Sequence, residues 1–356
     1  MEVTFKISEL KKGTNAYRIL ELIAISGELP VHLLHRLPYS YDYARAIIGK
    51  LKKDGFIRPY SNDKLRGYRL TVKAKRLLLK NDPQKFSFYL AGNTDTNIIR
   101  SEYSRRIRLH RLAESYVLML NADVSVFHDH KDRIPFFHSS REIKENYRET
   151  LKIKGSRMMG VLETDDDTFV VYNIGTSFPK WNYQSELRVK VYVRNDRHKT
   201  PTGIIISHGF DQFIRVFKTA DSGERCFFLL DNSYEHFYYL TQSRYGEVLI
   251  RMLCDRYKLS ALNSILSQGY MPADKSCSIE NDAMDTGGNP VLFGYLMDIP
   301  RINRFLTALN LRCKCGTVIC FDFQKKAFEQ ICGERVEVKA ISFDKFNRRF
   351  FECEEK

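Results

Sequence analysis

Residues 39–71 read YSYDYARAIIGKLKKDGFIRPYSNDKLRGYRLT and crowd cations and aromatic rings into one stretch. Tyr41, Tyr43, Arg45, Lys50, Lys52 and Lys53 come first, and Lys64, Arg66 and Arg69 follow. Arginine and lysine pair with phosphate oxygens, and arginine can also grip two acceptors on one base edge. A second basic group, Arg105, Arg106, Arg108 and Arg111, could reach phosphates flanking a bound site. It reads equally as a solvated face or as a dock for an acidic segment of the same chain.

The elements that would position the first group are legible. Ala44, Ile47, Ile48 and Leu51 recur at helical period, which predicts a helix with one buried stripe. Ser40 can cap its start and Asp54-Gly55 its end. Tyr41, Arg45, Gly49, Lys52 and Lys53 then share the opposite face. Phe56 to Tyr60 reads as a strand, Ser61 to Gly67 as a turn, and Tyr68 to Thr71 as the returning strand. Upstream, Thr14 or Asn15 caps a helix carrying Ile19, Leu20, Leu22 and Ile23. Leu29-Pro30 opens a second, short one. Three helices and a hairpin in this order predict a winged helix-turn-helix. Its third helix suits the major groove and its basic hairpin the neighbouring backbone. The plainer alternative is a small helical subdomain with a solvated charged face.

Charge supports the same division. The chain has 356 residues and a net charge of +14. Residues 1–115 hold 23 Lys and Arg against 11 Asp and Glu, whereas the remaining 241 hold 34 against 32. Such asymmetry points to a nucleic-acid-binding end and a near-neutral remainder. No apolar run approaches a membrane span, and the first 30 residues lack a signal-peptide pattern. Eight cysteines in a chain this long read as reduced thiols, so a cytoplasmic location is the expectation.

The predicted domains are 1–95, the DNA-binding part; 96–125, a basic connecting helix; and 126–356, an α/β domain with a possible division near the polar stretch 274–289. Turn-forming residues in 81–100 mark the first joint. The connecting helix, 101–121, buries Leu109, Leu112, Ala113, Tyr116, Val117 and Leu120. Beyond 156 the pattern alternates strand and helix, which argues a mixed-sheet α/β core. The expected strands include 156–163, 167–175, 202–209 and 224–232. Tyr234 to Arg256 reads as one helix, and 185–195 as helix or strand. No internal repeat is visible.

Several constellations could carry other chemistry. Glu163, Asp165, Glu186 and Lys190 are candidates for metal-assisted phosphodiester cleavage, which needs acids to hold a divalent ion and a cation or base beside them. A hairpin turn and an ordinary helical ion pair explain them as well. Cys313, Cys315, Cys320 and Cys332 offer four thiolates, without the paired knuckles of zinc modules. His32 with His35, and His128, Asp129, His130, Asp132 and His138, lack a clear further ligand set. No metal and no cofactor is therefore expected, and phosphate-loop and dinucleotide motifs are absent.

The ending Tyr68-Arg69-Leu70-Thr71, followed by His110-Arg111-Leu112-Ala113, resembles the replication-relaxation proteins of plasmids and conjugative elements. The resemblance covers residues 14–120. It implies a winged helix followed by an α/β domain similar to restriction-type nucleases. That family typically carries Pro-Asp on one strand and Glu-x-Asp on the next. Here the aligned strands carry Ser156-Arg157 and Tyr172-Asn173, so the resemblance implies a degenerate nuclease fold without the usual acids.

The resulting expectation is a sequence-specific DNA-binding protein of a bacterial mobile element, acting in replication, transfer or their control, without catalysis. Double-stranded DNA is the expected partner, with protein partners or self-association through the α/β domain and no membrane. The alternatives are a metal-dependent nuclease or nicking enzyme, and a ligand-sensing transcriptional regulator.

Overall fold

The computed structural model describes residues 10–62, 64–90, 102–130, 132–146, 155–177, 182–221, 234–274 and 276–352. The chain is mixed α and β and divides into two compact units: 1–121 with 125–133, and 122–124 with 134–356.

The first unit begins with α1 (Asn15–Ser26), whose N-terminus is capped by the Thr14 hydroxyl and whose end is turned by Gly27 at φ 86°. Leu29–Pro30 forms β1, and Val31–Arg36 is a single 3-10 stretch. The helix expected to open at Leu29-Pro30 therefore starts later. Pro30 has no N–H to give, which suits a sheet edge and a helix start. Next come α2 (Tyr41–Lys53), β2 (Ile57–Asn62) and β3 (Leu65–Leu70). Ala44, Ile47, Ile48 and Leu51 are buried and Ser40 caps α2, as the spacing predicts. The strands pair antiparallel in the order β1-β3-β2. Both hairpin strands run further than expected, to Asn62 and from Leu65, leaving a two-residue turn in place of one from 61 to 67.

Then follow α3 (Val72–Asn81), α4 (Pro83–Leu90) and α5 (Tyr103–Asn121). The stretch 81–100 was expected as a joint; α4 occupies part of it, and the boundary at 95 lies outside the described residues. The expected connector, α5, is a core helix of the first unit. Residues 112–119 are buried on every side, a pattern of an enclosed helix. Residues 125–133 belong here too: Asp129 lies 3.4 Å from the buried Lys85 ammonium, which also meets Glu21 at 3.0 Å.

The second unit contains two five-stranded mixed sheets. The first uses β4 (Phe136–Ser139), β5 (Gly160–Glu163), β6 (Thr168–Gly175), β7 (Thr202–Ser207) and β8 (Phe237–Thr241). Its helices are α6 (Ser140–Asn146), α7 (Tyr183–Arg197) and α8 (Asp211–Asp221), with α9 (Arg244–Leu253) and α10 (Arg256–Ser267) after β8. The second sheet uses β9 (Met271–Pro272), β10 (Ala283–Met284), β11 (Pro290–Phe293), β12 (Gly316–Phe321) and β13 (Val336–Ile341). Its helices are α11 (Ile299–Arg312), α12 (Lys325–Ile331) and α13 (Phe343–Asn347). Both sheets keep their strands in chain order. Both begin with an antiparallel meander of three and end with two parallel additions. The duplication lies in topology and left no repeat in the sequence. One apolar cluster joins the two, with Tyr172, Ile205 and Tyr239 from the first and Leu292 and Val318 from the second.

One expectation is corrected and one open alternative is decided. Tyr234 to Arg256 is not one helix but β8 and then α9. A strand buried on both faces is a continuous apolar run, which periodicity cannot separate from a helix. The segment 185–195 resolves as helix, inside α7, started by the Asn182 side chain on the Ser185 N–H. The strand expected at 224–232 lies outside the described residues. Among the described residues no helix is long and apolar enough to cross a membrane.

Close approach in the parallel layer gives a test. An added Cβ at Gly203 in β7 would lie 2.0 Å from the fully buried Phe237 ring. Gly203→Ala should lower stability by about 1–3 kcal/mol, read as an earlier denaturant midpoint.

Candidate nucleic-acid interface

The exposed face of α2 carries Tyr41, Arg45, Gly49, Lys52 and Lys53 in one stripe, with Lys50 beside it. Among the described residues no carboxylate pairs with any of these cations or with Lys64 and Arg66 of the hairpin, both exposed. Lys64 sits in the turn with φ 65°. The helix and hairpin faces adjoin: burial raises the Tyr68 hydroxyl on β3, the nearby Tyr41 adds to that, and Arg45 opposes it. Aromatic contacts order the start of α2. His35 stacks on Tyr41 at 3.9 Å and 3°, and Tyr39 meets Tyr43 edge-on at 5.7 Å. Gly49 lies mid-helix, and a Cβ there would meet nothing within 4 Å. Packing does not demand that glycine, although it disfavours the helix.

Arg69 and Arg106, expected at the surface, are buried at 1% and 0% exposure. Both turn inward on Glu28, itself fully buried. Arg69 Nε donates to Glu28 Oε2 at 2.8 Å, and Arg106 NH2 donates to Oε1 at 2.6 Å. His110 Nε2 reaches the same Oε1 at 2.8 Å. The Arg106 guanidinium also donates to the carbonyls of Asn62 and Leu65, at 2.8 and 3.1 Å, one on each side of the hairpin turn. That explains the longer strands. The two guanidiniums cover the Tyr60 ring at 3.8 and 4.6 Å. A buried guanidinium needs such a partner, and one enclosed at 0–1% exposure cannot reach DNA. Burial alone would raise the Glu28 carboxyl; the donors His110, Arg106 and Arg69 outweigh it and hold it at about 2.

The rest of the second arginine group divides. Arg105 is exposed and pairs with Glu102 at 3.0 Å. Arg108 and Arg111 are half-buried and have partners within the chain. His32 and His35 also part: His32 Nε2 meets Glu114 Oε1 at 2.9 Å, whereas His35 stacks on Tyr41.

In the second unit the candidate acids serve separate structural ties. Glu163 takes His138 Nε2 at 3.2 Å and Arg197 at 3.0 Å, and these partners lower its carboxyl despite partial burial. Asp165 lies in an exposed turn, where its carbonyl receives Lys199. Glu186 accepts the Ser156 hydroxyl and the Arg157 N–H, both at 2.8 Å, and burial raises its carboxyl. Tyr172 adds a further hydrogen bond to Glu186 and shares one with Tyr234 at 2.8 Å. Lys190 lies over the Tyr234 ring at 5.7 Å. Among the described residues neither Glu163, Asp165 and Glu186, nor the four cysteines, nor the 128–138 histidines and aspartates converge on one point as metal ligands would.

No family model, curated protein or solved structure matches this chain.

Sequence reasoning missed Glu28, His110 and Tyr60 as supports of the face, and His35 and Tyr39 as part of it. Glu28 carried one signal, an acid set in the apolar run from Leu22 to Leu34. Its folded carboxyl lies below the ordinary 4.5. Its contribution is therefore complete above that value and is lost as pH falls towards 2. The loss should amount to about 3 kcal/mol. Urea midpoints at about pH 6 and about pH 3 should show about 2 kcal/mol of it, and Glu28→Gln should flatten this component. At neutral pH the same variant should cost about 3–5 kcal/mol, because two guanidiniums stay buried without their counter-charge.

Proposed function

We propose that the first unit is a winged helix that binds duplex DNA and that the protein acts through this contact. One observation carries the reading: a cationic and aromatic stripe on α2, its cations unpaired among the described residues, adjoins the exposed Lys64 and Arg66 of the hairpin, while Arg69 is neutralised inside. In this reading α2 enters the major groove, with Arg45 and the tyrosines near its start at base edges. Lys64 and Arg66 meet phosphate or the minor groove. Gly49 permits the helix backbone to come close to the duplex. Arg105 extends the phosphate contacts; Arg69 and Arg106 hold the scaffold.

The second unit serves assembly or partner binding. The two positions that the resemblance aligns with nuclease acids, Ser156-Arg157 and Tyr172-Asn173, meet at Glu186, where a buried tyrosine pair closes the space. That arrangement favours a nuclease-like scaffold without cleavage chemistry. A role in plasmid replication, conjugative transfer or their control rests on the replication-relaxation resemblance.

Selected and random duplexes, titrated against the full chain at several salt concentrations, test this. Arg45→Ala should cost about 1–3 kcal/mol on the selected site and much less on random DNA. Lys64→Ala should weaken both by a similar, smaller amount and flatten the salt slope by about one unit. Gly49→Ala should stabilise the fold by about 0.5–1 kcal/mol yet weaken binding. Equal losses on both duplexes for Arg45→Ala would remove α2 as the reader, and a chain indifferent to salt would remove the electrostatic contact altogether.

A further inference from the structure

The second unit holds a cleft of 480 Å³ between the ends of β6, β7 and β8 and the helices α9 and α10. It is separate from the Glu163 and Glu186 ties, and the DNA reading makes no use of it. Most of its polar lining can donate. His236, Thr202, Tyr238, Ser260 and Asn263 face it, together with one carboxylate, Asp167, which holds Arg256 at the rim.

The histidine is held in a deliberate way. Asp298 occupies the N-cap position of α11 but makes no side-chain cap bond there. Its Oδ2 instead takes His236 Nδ1 at 2.6 Å, and its Oδ1 takes the Phe237 N–H at 3.0 Å. A capping residue is thus diverted to fix an imidazole, a broken local rule of the kind found at sites. With Nδ1 engaged, Nε2 has no protein partner among the described residues. The Asp298 hydrogen bond, then its charge and that of Glu235, raise the imidazole against burial and Arg301, so its charged form is favoured. The hydroxyls of Thr202, Tyr238 and Ser260 also lack hydrogen-bond partners among the described residues. Arg256 spends Nε and one terminal nitrogen on Asp167, with Asp166 Oδ2 also 3.7 Å from Nε, and keeps the other terminal nitrogen.

The remaining wall is apolar, its two rings tilted 49° to one another. Phe169 and Tyr238 lie 6.4 Å apart, His236 stacks against Tyr238 at 6.2 Å, and Leu253 and Leu259 complete it. A ligand matching this lining needs an anionic, acceptor-rich end and a planar ring, in a volume within the usual range for small-molecule sites.

We propose that this cleft binds a phosphorylated nucleoside, its phosphate on His236 Nε2 and Arg256 and its base against Phe169 and Tyr238. The phosphate could belong to a free mononucleotide or to the 5′ end of a strand. Calorimetric titration of the full chain decides, using the four ribonucleoside 5′-monophosphates, adenosine, inorganic phosphate and a 5′-phosphorylated dinucleotide. A mononucleotide should bind at least about tenfold more tightly than adenosine or phosphate. His236→Gln and the rim substitution Arg256→Gln should each weaken it by about tenfold or more, with the melting temperature kept. Preference for the dinucleotide would assign a strand end, and preference for the mononucleotide a free ligand. The proposal falls if no nucleotide binds at millimolar concentration, if inorganic phosphate binds as tightly as any nucleotide, or if folded Arg256→Gln binds as the wild type does. The DNA titrations above stand or fall separately, because neither substituted residue belongs to the first unit.

Discussion

A single buried carboxylate organises the first unit. Glu28 sits in full burial with two guanidiniums and an imidazole around it. Taking such charges from water is costly, and it is tolerated only where nearly every donor finds an acceptor. Here three donors come from two elements: Arg69 on β3, and Arg106 and His110 on α5. The carboxylate at the head of β1 thereby ties the hairpin to a helix distant in sequence. Gly67 belongs to the same constraint. A Cβ there would stand 2.4 Å from Glu28 Oε1, so the strand can pass the carboxylate only with glycine. The angle at which the hairpin is presented follows from this knot and not from the turn.

The second unit repeats one topology twice and uses its polar groups differently in each region. Glu186 is a structural acid: it pins the segment before β5 through Ser156 and Arg157. The Tyr172–Tyr234 pair, its hydroxyls 2.8 Å apart, packs beside it and adds a hydrogen bond from Tyr172. Near the opposite end of β6 the cleft keeps donors unpaired. Closed and satisfied polar groups stabilise; open and unsatisfied ones wait for something else to bind.

The amphipathic stripe of α2, its cap and the hairpin were legible because each obeys a local rule that one side chain or one period can express. Most of the strand and helix alternation after 156 was legible for the same reason. What remained hidden was long-range. Four arginines in 105–111 look alike in sequence, yet Arg106 is interior and Arg105 is not. The difference is set by Glu28, 78 positions away along the chain. Helical period alone does not reveal this, because Arg106 precedes the apolar stripe. β8 was read as helix because its burial on both faces erased the alternation that marks a strand. His236 and Asp298 were passed over because they lie 62 positions apart and neither stands in a motif.

The two sites share a logic that does not depend on any partner. Gly49 interrupts a good helix where open space would admit a larger side chain. Asp298 stands at a helix start and declines to cap it. Each choice sets aside a local stabilisation; Gly49 gains nothing from packing, whereas Asp298 exchanges its cap for the His236 and Phe237 hydrogen bonds. Where a sequence otherwise follows its local rules, such departures are expected at contacts made with another molecule. For Gly49 the departure exposes backbone beside cations, which suits a large, flat, anionic surface. For Asp298 it sharpens one donor within a cavity, which suits a small ligand. The shape of the surroundings, not the departure itself, separates a groove-binding face from a pocket.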